Sequence, residues 1–324
     1  MSSVPHIDAA AAISAGTAVL PPGPSLDADS AARLVASLRW AAAASVEPVA
    51  AVTGLPDTTG GPMKVVDRAT WLRANVDMAV TMLDEAAGGL PARTGLTERA
   101  SARANGVQLG VVLAALGTRI LGQWLPFLAE PQLLVVAPNV EKIEKAMSVR
   151  PRDFHLWVCL HEQTHRLQFA RAPWLRDHLI SEMGLLLADG SGGPRGERPH
   201  NLVEAALSAE QRVVFARVSA AMSLLEGYAD DMMDRVGPDV VPTVAQIRRT
   251  FEARRSRGGW IAVLNRLLGM DAKLAQYRDG ARFCRAVIDR VGVDGLNVVY
   301  DAAGQLPSAE EIADPARWVT RVHG

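Results

Sequence analysis

Between Pro151 and Pro173 the chain runs without a glycine or a proline, and inside that window His161 and His165 stand four residues apart with Glu162 beside the first. Pro151 opens the stretch, Asp153 is placed to cap it and Pro173 closes it, so both ends of a helix over 153–171 have a local cause. On a helix, positions i and i+4 differ by about forty degrees of rotation, so the two imidazoles leave the same face. Phe154, Trp157, Val158, His161, His165 and Gln168 share one stripe, the stripe a core would take. Two imidazoles there need partners, because buried polar groups are rarely left unpaired. A metal ion would satisfy both at once; ordinary core histidines bonded to protein groups are the blander alternative.

The pentapeptide His161-Glu162-Gln163-Thr164-His165 fits the first case. Neutral imidazoles suit zinc, and zinc lowers the pKa of a bound water towards about 7. Glu162 is within reach to take a proton as that water attacks a carbonyl, and to return it to the leaving nitrogen. A catalytic zinc keeps three protein ligands, so a third must come from another segment. The metzincin pattern fails, because Arg171 stands where its third His belongs and Gln168 where it needs a Gly. The common gluzincin spacing fails too, since it falls on Gly184 and Leu185; the nearby Glu182 misses it.

A long helix over 209–236 offers a better donor. Ser208 with Gln211 three residues on makes a capping box at its start, and Gly237-Pro238 stops it. Within it Glu226 and Asp230 sit one turn apart beside an apolar stripe, so Glu226 can ligate the metal while Asp230 accepts a hydrogen bond from a ligand imidazole. A solvated acidic face shared with Asp231 and Asp234 is the competing interpretation, and Glu182 stays as the alternative ligand. Gly227 costs the helix up to about 1 kcal/mol relative to Ala, which close approach of another backbone would explain. Tyr228, Tyr277 and His178 are candidates to steady the oxyanion of a tetrahedral intermediate. The basic cluster Arg254, Arg255 and Arg257 is a candidate for carboxylate recognition.

The expected fold is mainly α with a small β element (α+β), the His-Glu-x-x-His helix packing on the second long helix. Residues 1–25 read as a flexible tail without the basic start of a signal peptide, and 26–324 as a single domain with a helical lobe at 26–130 and a metal-binding lobe at 131–324. Helices are expected at 27–52, 66–85 and 98–127, and broken at Gly258-Gly259 within 241–291. Leu133-Leu134-Val135-Val136 between two prolines is the clearest strand, placed to border the cleft and pair with an extended substrate, with a weaker one at 296–300. The loop at 189–201, with its Gly and Pro breakers, is expected to be exposed. Thirty-four Lys plus Arg against thirty-five Asp plus Glu leave no field to draw nucleic acid. No apolar run approaches the roughly twenty residues a membrane span needs. Two cysteines in apolar surroundings point to a reducing, cytoplasmic location.

The pentapeptide with Leu167-Gln168-Phe169 and Trp174, followed by Leu225-Glu226-Gly227-Tyr228-Ala229-Asp230 with Met233-Asp234, resembles the zincin-like metallopeptidases common in high-GC Gram-positive bacteria. Leu267-Leu268-Gly269-Met270-Asp271 with Lys273, and Gln276-Tyr277-Arg278-Asp279-Gly280, resemble that family's C-terminal stretch. The likeness implies a gluzincin-like zinc hydrolase with His161 and His165 as ligands, Glu162 as base and Glu226 as third ligand. The expected activity is cleavage of a peptide or small amide by zinc-activated water. The competing expectation is a non-catalytic, metal-stabilised helical scaffold that binds a partner, which closed four-ligand coordination would favour.

Overall fold

The computed structural model describes residues 6–56, 61–88, 95–187, 207–255 and 275–324. It is mostly helical with one small three-stranded sheet. The chain begins with α1 (Ala9–Val19), α2 (Ala28–Ala44) and α3 (Val46–Thr53), followed by β1 (Met63–Val66) and α4 (Arg68–Ala86). Then come α5 (Leu96–Gly117), β2 (Gly122–Leu125), β3 (Gln132–Val136), α6 (Ala137–Met147), α7 (Pro151–Arg171) and α8 (Trp174–Leu187). The C-terminal part holds α9 (Ala209–Val240), α10 (Val244–Arg255), α11 (Ala275–Asn297), a 3-10 turn at Val298–Tyr300, α12 (Ala309–Ala313) and α13 (Pro315–His323).

The sheet order is β1-β3-β2, with β3 parallel to β1 and antiparallel to β2. Strand side chains alternate between faces, and here both faces are covered. Leu133 and Val135 join Trp124 in the large core shared with α2, α7 and α9. Leu134, Val136 and Leu125 join Trp71, Leu72 and Leu113 in a smaller core under α1, α4 and α5. That double burial explains why the β3 sequence is a continuous apolar run. It also corrects the expectation that β3 pairs with substrate, because both its edges are already taken. Among the described residues the open edges belong to β1 and β2.

Several expected boundaries move for physical reasons. The segment read as a flexible tail contains α1: Asp8 caps it by accepting from the Ala11 N–H at 2.9 Å, and its small residues lie against α5. The Pro21 and Pro22 carbonyls beyond it accept from the buried guanidinium of Arg68, which also donates to Asn139. The lobe expected to be helical contributes two of the three strands, and the third expected helix ends at Gly117 before β2 begins. Residues 296–300 are not a strand but the end of α11 and a 3-10 turn. Asp153 does not cap α7. Arg150 holds that position, Pro151 starts the helix, and the buried Asp153 carboxylate accepts from the backbone N–H and hydroxyl of Thr243 at 3.0 and 2.6 Å. The Ser208–Gln211 capping box forms as expected, and Gly237, at φ 75° and ψ −179°, breaks the helical backbone of α9 where Gly237-Pro238 was expected to stop it. The expected loop at 189–201 and the Gly258-Gly259 break lie outside the described residues.

α7 is the axis of the large core. His155 ties it to two neighbours, its Nδ1 2.8 Å from the Ser37 hydroxyl on α2 and its Nε2 2.7 Å from Glu144 on α6. Both cysteines are buried and free. Among the described residues no helix is long and apolar enough to cross a membrane.

Candidate metal centre

α7 and α9 cross where the two histidines meet the acidic turn. His161 Nε2 and His165 Nε2 are 3.1 Å apart. Glu226 on α9 reaches both, with its Oε2 3.5 Å from His161 Nε2 and its Oε1 3.6 Å from His165 Nε2. Among the described residues these three form a group of His, Cys, Asp or Glu side chains whose donor atoms all lie within 4.8 Å of one another. A tetrahedral zinc with ligands at about 2.0–2.1 Å sets its donors about 3.3 Å apart, close to the 3.1 Å between the two ring nitrogens and to the 3.5 and 3.6 Å from each ring to its nearer Glu226 oxygen. The residues therefore fit the ion. The side chains of His161 and Glu226 keep 22% and 37% exposure, so the group opens to solvent on one side.

Asp230, one turn beyond Glu226, has its Oδ1 4.0 Å from His161 Nδ1, on the ring edge away from Glu226. The expected division of labour between the two carboxylates is thus compatible with their placement. Glu182 is elsewhere: its buried carboxylate takes two parallel hydrogen bonds from Arg217, at 2.9 and 3.0 Å. Tyr228 is fully buried, edge-on to Tyr300, and its hydroxyl donates to Asn297 Oδ1 at 2.8 Å, so it serves the core and not an oxyanion. His178 lies edge-on to Trp174. The side chains of Tyr277, Arg254, Arg255 and Arg257 lie outside the described part.

Two residues whose roles local patterning does not show complete the surroundings. Gly122, on the edge strand β2, faces the Glu162 side chain: a Cβ at 122 would be 2.6 Å from Glu162 Cγ. The Trp124 backbone N–H of the same strand bonds the Glu162 carboxylate. Gln168, one turn after His165, is fully buried with its Oε1 2.9 Å from His165 Nδ1. Its place on the α7 stripe was legible, but its role depends on groups distant in sequence.

Electrostatics separate the three groups of the pentapeptide. Burial disfavours the His161 imidazolium, yet the hydrogen bond and charge of Glu226, with Glu162 and Asp230 adding to them, raise its pKa to about 9. For His165 burial, aided by the neighbouring His161, outweighs Glu226 and lowers it. Burial pushes Glu162 up to about 7, with His161 and the Trp124 N–H pulling down and Glu226 pushing up. A carboxyl poised near neutrality can both accept and return a proton.

A His-Glu-x-x-His helix crossed by a helix that brings a carboxylate to the same point offers the donor types of a catalytic metal site. The chain belongs to the zincin-like metallopeptidase family, whose model matches residues 7–319. It is similar in structure to a protein from Chloroflexus aurantiacus described as "a putative hydrolase with a novel fold", at TM-score 0.73 and 29% identity, over 97% of this chain and 98% of the other. No curated protein matches it.

Proposed function

We propose that this protein is a zinc-dependent metallopeptidase or amide hydrolase in which His161, His165 and Glu226 hold the ion and Glu162 is the general base. The observation that carries this reading is the convergence of the two ring nitrogens, 3.1 Å apart, on the Glu226 carboxylate, one oxygen of which lies 3.5 Å from His161 and the other 3.6 Å from His165, with a base one residue from the first imidazole. When bound, zinc supplies a Lewis acid and a water of lowered pKa. Glu162, held against β2 by the Trp124 N–H, takes the proton from the attacking water and delivers it to the departing nitrogen. Asp230 orients His161 from the side opposite Glu226. β2 is an edge strand next to Glu162, and an extended peptide adding to that edge would run past the base.

The partner-binding scaffold is less well supported, because a purely structural zinc site has closed four-ligand coordination. Here the candidate group has three members among the described residues and opens to solvent. The two buried free thiols support a reducing, cytoplasmic compartment. The test is zinc content together with hydrolysis of a peptide library by wild type and Glu162→Gln. Zinc should be equal in both, and turnover should fall by about 10²–10⁴-fold in the variant. Wild-type turnover in Glu162→Gln would remove Glu162 from the mechanism.

A further inference from the structure

The amide of Gln168 lies among three polar groups that leave it one orientation. Its Nε2 is 3.1 Å from the Leu225 carbonyl oxygen and 2.9 Å from the Tyr300 hydroxyl, while its Oε1 faces His165 Nδ1 at 2.9 Å. A carbonyl oxygen only accepts, so the amide atom facing Leu225 must be the nitrogen. The oxygen is then turned to His165, and an amide oxygen also only accepts. His165 must therefore carry its proton on Nδ1, which leaves the Nε2 lone pair directed at His161 Nε2 and Glu226.

We propose that Gln168 is a positioning residue that fixes the tautomer and ring angle of His165 for metal binding, and that the C-terminal turn at Val298–Tyr300 is thereby part of the metal site. This rests on the metal-binding reading above. The support comes from three segments. Gln168 sits on α7 and is fully buried; Leu225 precedes Glu226 on α9; Tyr300 ends the 3-10 turn, where its own carbonyl accepts from Trp174 Nε1 at 2.9 Å. The Leu225 contact matters most, because the residue that sets the amide is the chain neighbour of the third donor. Any shift of α9 that moved Glu226 would also move the group that holds Gln168. Gln168 touches neither the reacting atoms nor the ion's position, so it acts through His165 alone.

The test is competition of zinc against a chromophoric chelator, with cobalt absorption as a second readout, on the purified full chain. Gln168→Met keeps length and removes the acceptor; it should bind zinc about 10–100-fold more weakly. The cobalt spectrum of Gln168→Met should also differ from wild type, because the His165 ring is no longer held at its angle. Equal zinc affinity in wild type and Gln168→Met, or a cobalt spectrum of Gln168→Met identical to that of wild type, overturns the inference. If Gln168→Met does not fold, nitrogen NMR of histidine-labelled, metal-free wild type decides: a proton on His165 Nδ1 supports it, and one on Nε2 alone overturns it. A wild type that takes up no zinc defeats the metal reading itself, whereas a wild type that binds zinc beside an equally competent Gln168→Met defeats only the role of Gln168.

Discussion

Gly227 and Gly280 cross backbone on backbone: a Cβ built at 227 would lie 2.1 Å from the Gly280 carbonyl carbon, and one at 280 would lie 2.0 Å from the Ser223 carbonyl oxygen. This contact lets α11 press against α9 at the residue after Glu226, which answers why a glycine interrupts that helix. Gly227→Ala gains up to about 1 kcal/mol of helix propensity. It must also force two backbones apart, and overpacking of a close contact costs about 1–3 kcal/mol. The variant should unfold at lower urea concentration than wild type. A midpoint equal to or above wild type would show that the crossing is looser than described.

Gly122 has a different purpose, since the neighbour it admits is the side chain of Glu162. An added methyl meets Glu162 Cγ, and the carboxylate has to swing off the Trp124 N–H. A misplacement of about 1 Å at a reacting group can cost roughly 10²-fold in rate. Gly122→Ala should therefore keep its zinc and its thermal midpoint while hydrolysis of the best library peptide falls by about that factor. Unchanged kcat would mean that Glu162 is not held by β2.

Much of this site was legible because its signals are local. Proline at both ends of α7, the Ser208–Gln211 box and the four-residue spacing of His161 and His165 each act within a few residues. Glu226 was legible as a candidate through its helix, and what sets Glu182 apart from it, the pair with Arg217, is a contact between residues 35 positions apart. β2 was hidden: Gly122-Gln123-Trp124-Leu125 is a short mixed segment with no clear alternation, and only pairing with β3 makes it a strand. Val298 and Val299 suggested a strand by their branched side chains, yet Tyr300 is tied down by Gln168 and Trp174, and the chain turns there instead. α1 was missed because an Ala-rich segment with few large apolar residues shows no amphipathic stripe, and the surface it packs on, α5, is distant in sequence. The spacing of Gln168 shows its place on the α7 stripe but not its role, because its partners lie 57 and 132 residues away.

The two candidate third ligands separate cleanly by mutation. Glu226→Ala removes a donor 3.5 and 3.6 Å from the imidazoles and should reduce bound zinc to well below one per chain after dialysis. Glu182→Ala removes the partner of Arg217 and leaves the imidazoles untouched. Its zinc content should stay at wild type. The loss should appear in stability, by about 3 kcal/mol if the pair behaves as buried and less to the extent that water reaches the half-exposed guanidinium. Zinc loss in Glu182→Ala with retention in Glu226→Ala would reverse the assignment.

Metal binding should also be visible as folding energy, because the donors come from two helices that only the folded chain brings together. A ligand that binds the native state alone stabilises it by about 2.7 kcal/mol at a hundred times its Kd. Adding zinc at that excess to chelator-treated wild type should raise the thermal midpoint, and further chelator should reverse the rise. In His165→Ala the rise should vanish, since the ring that faces both His161 and Glu226 is gone. Asp230→Asn keeps an acceptor near His161 Nδ1 and should keep most of the rise. An equal zinc-dependent rise in wild type and His165→Ala would place the stabilising ion at some other site and separate it from the α7–α9 crossing.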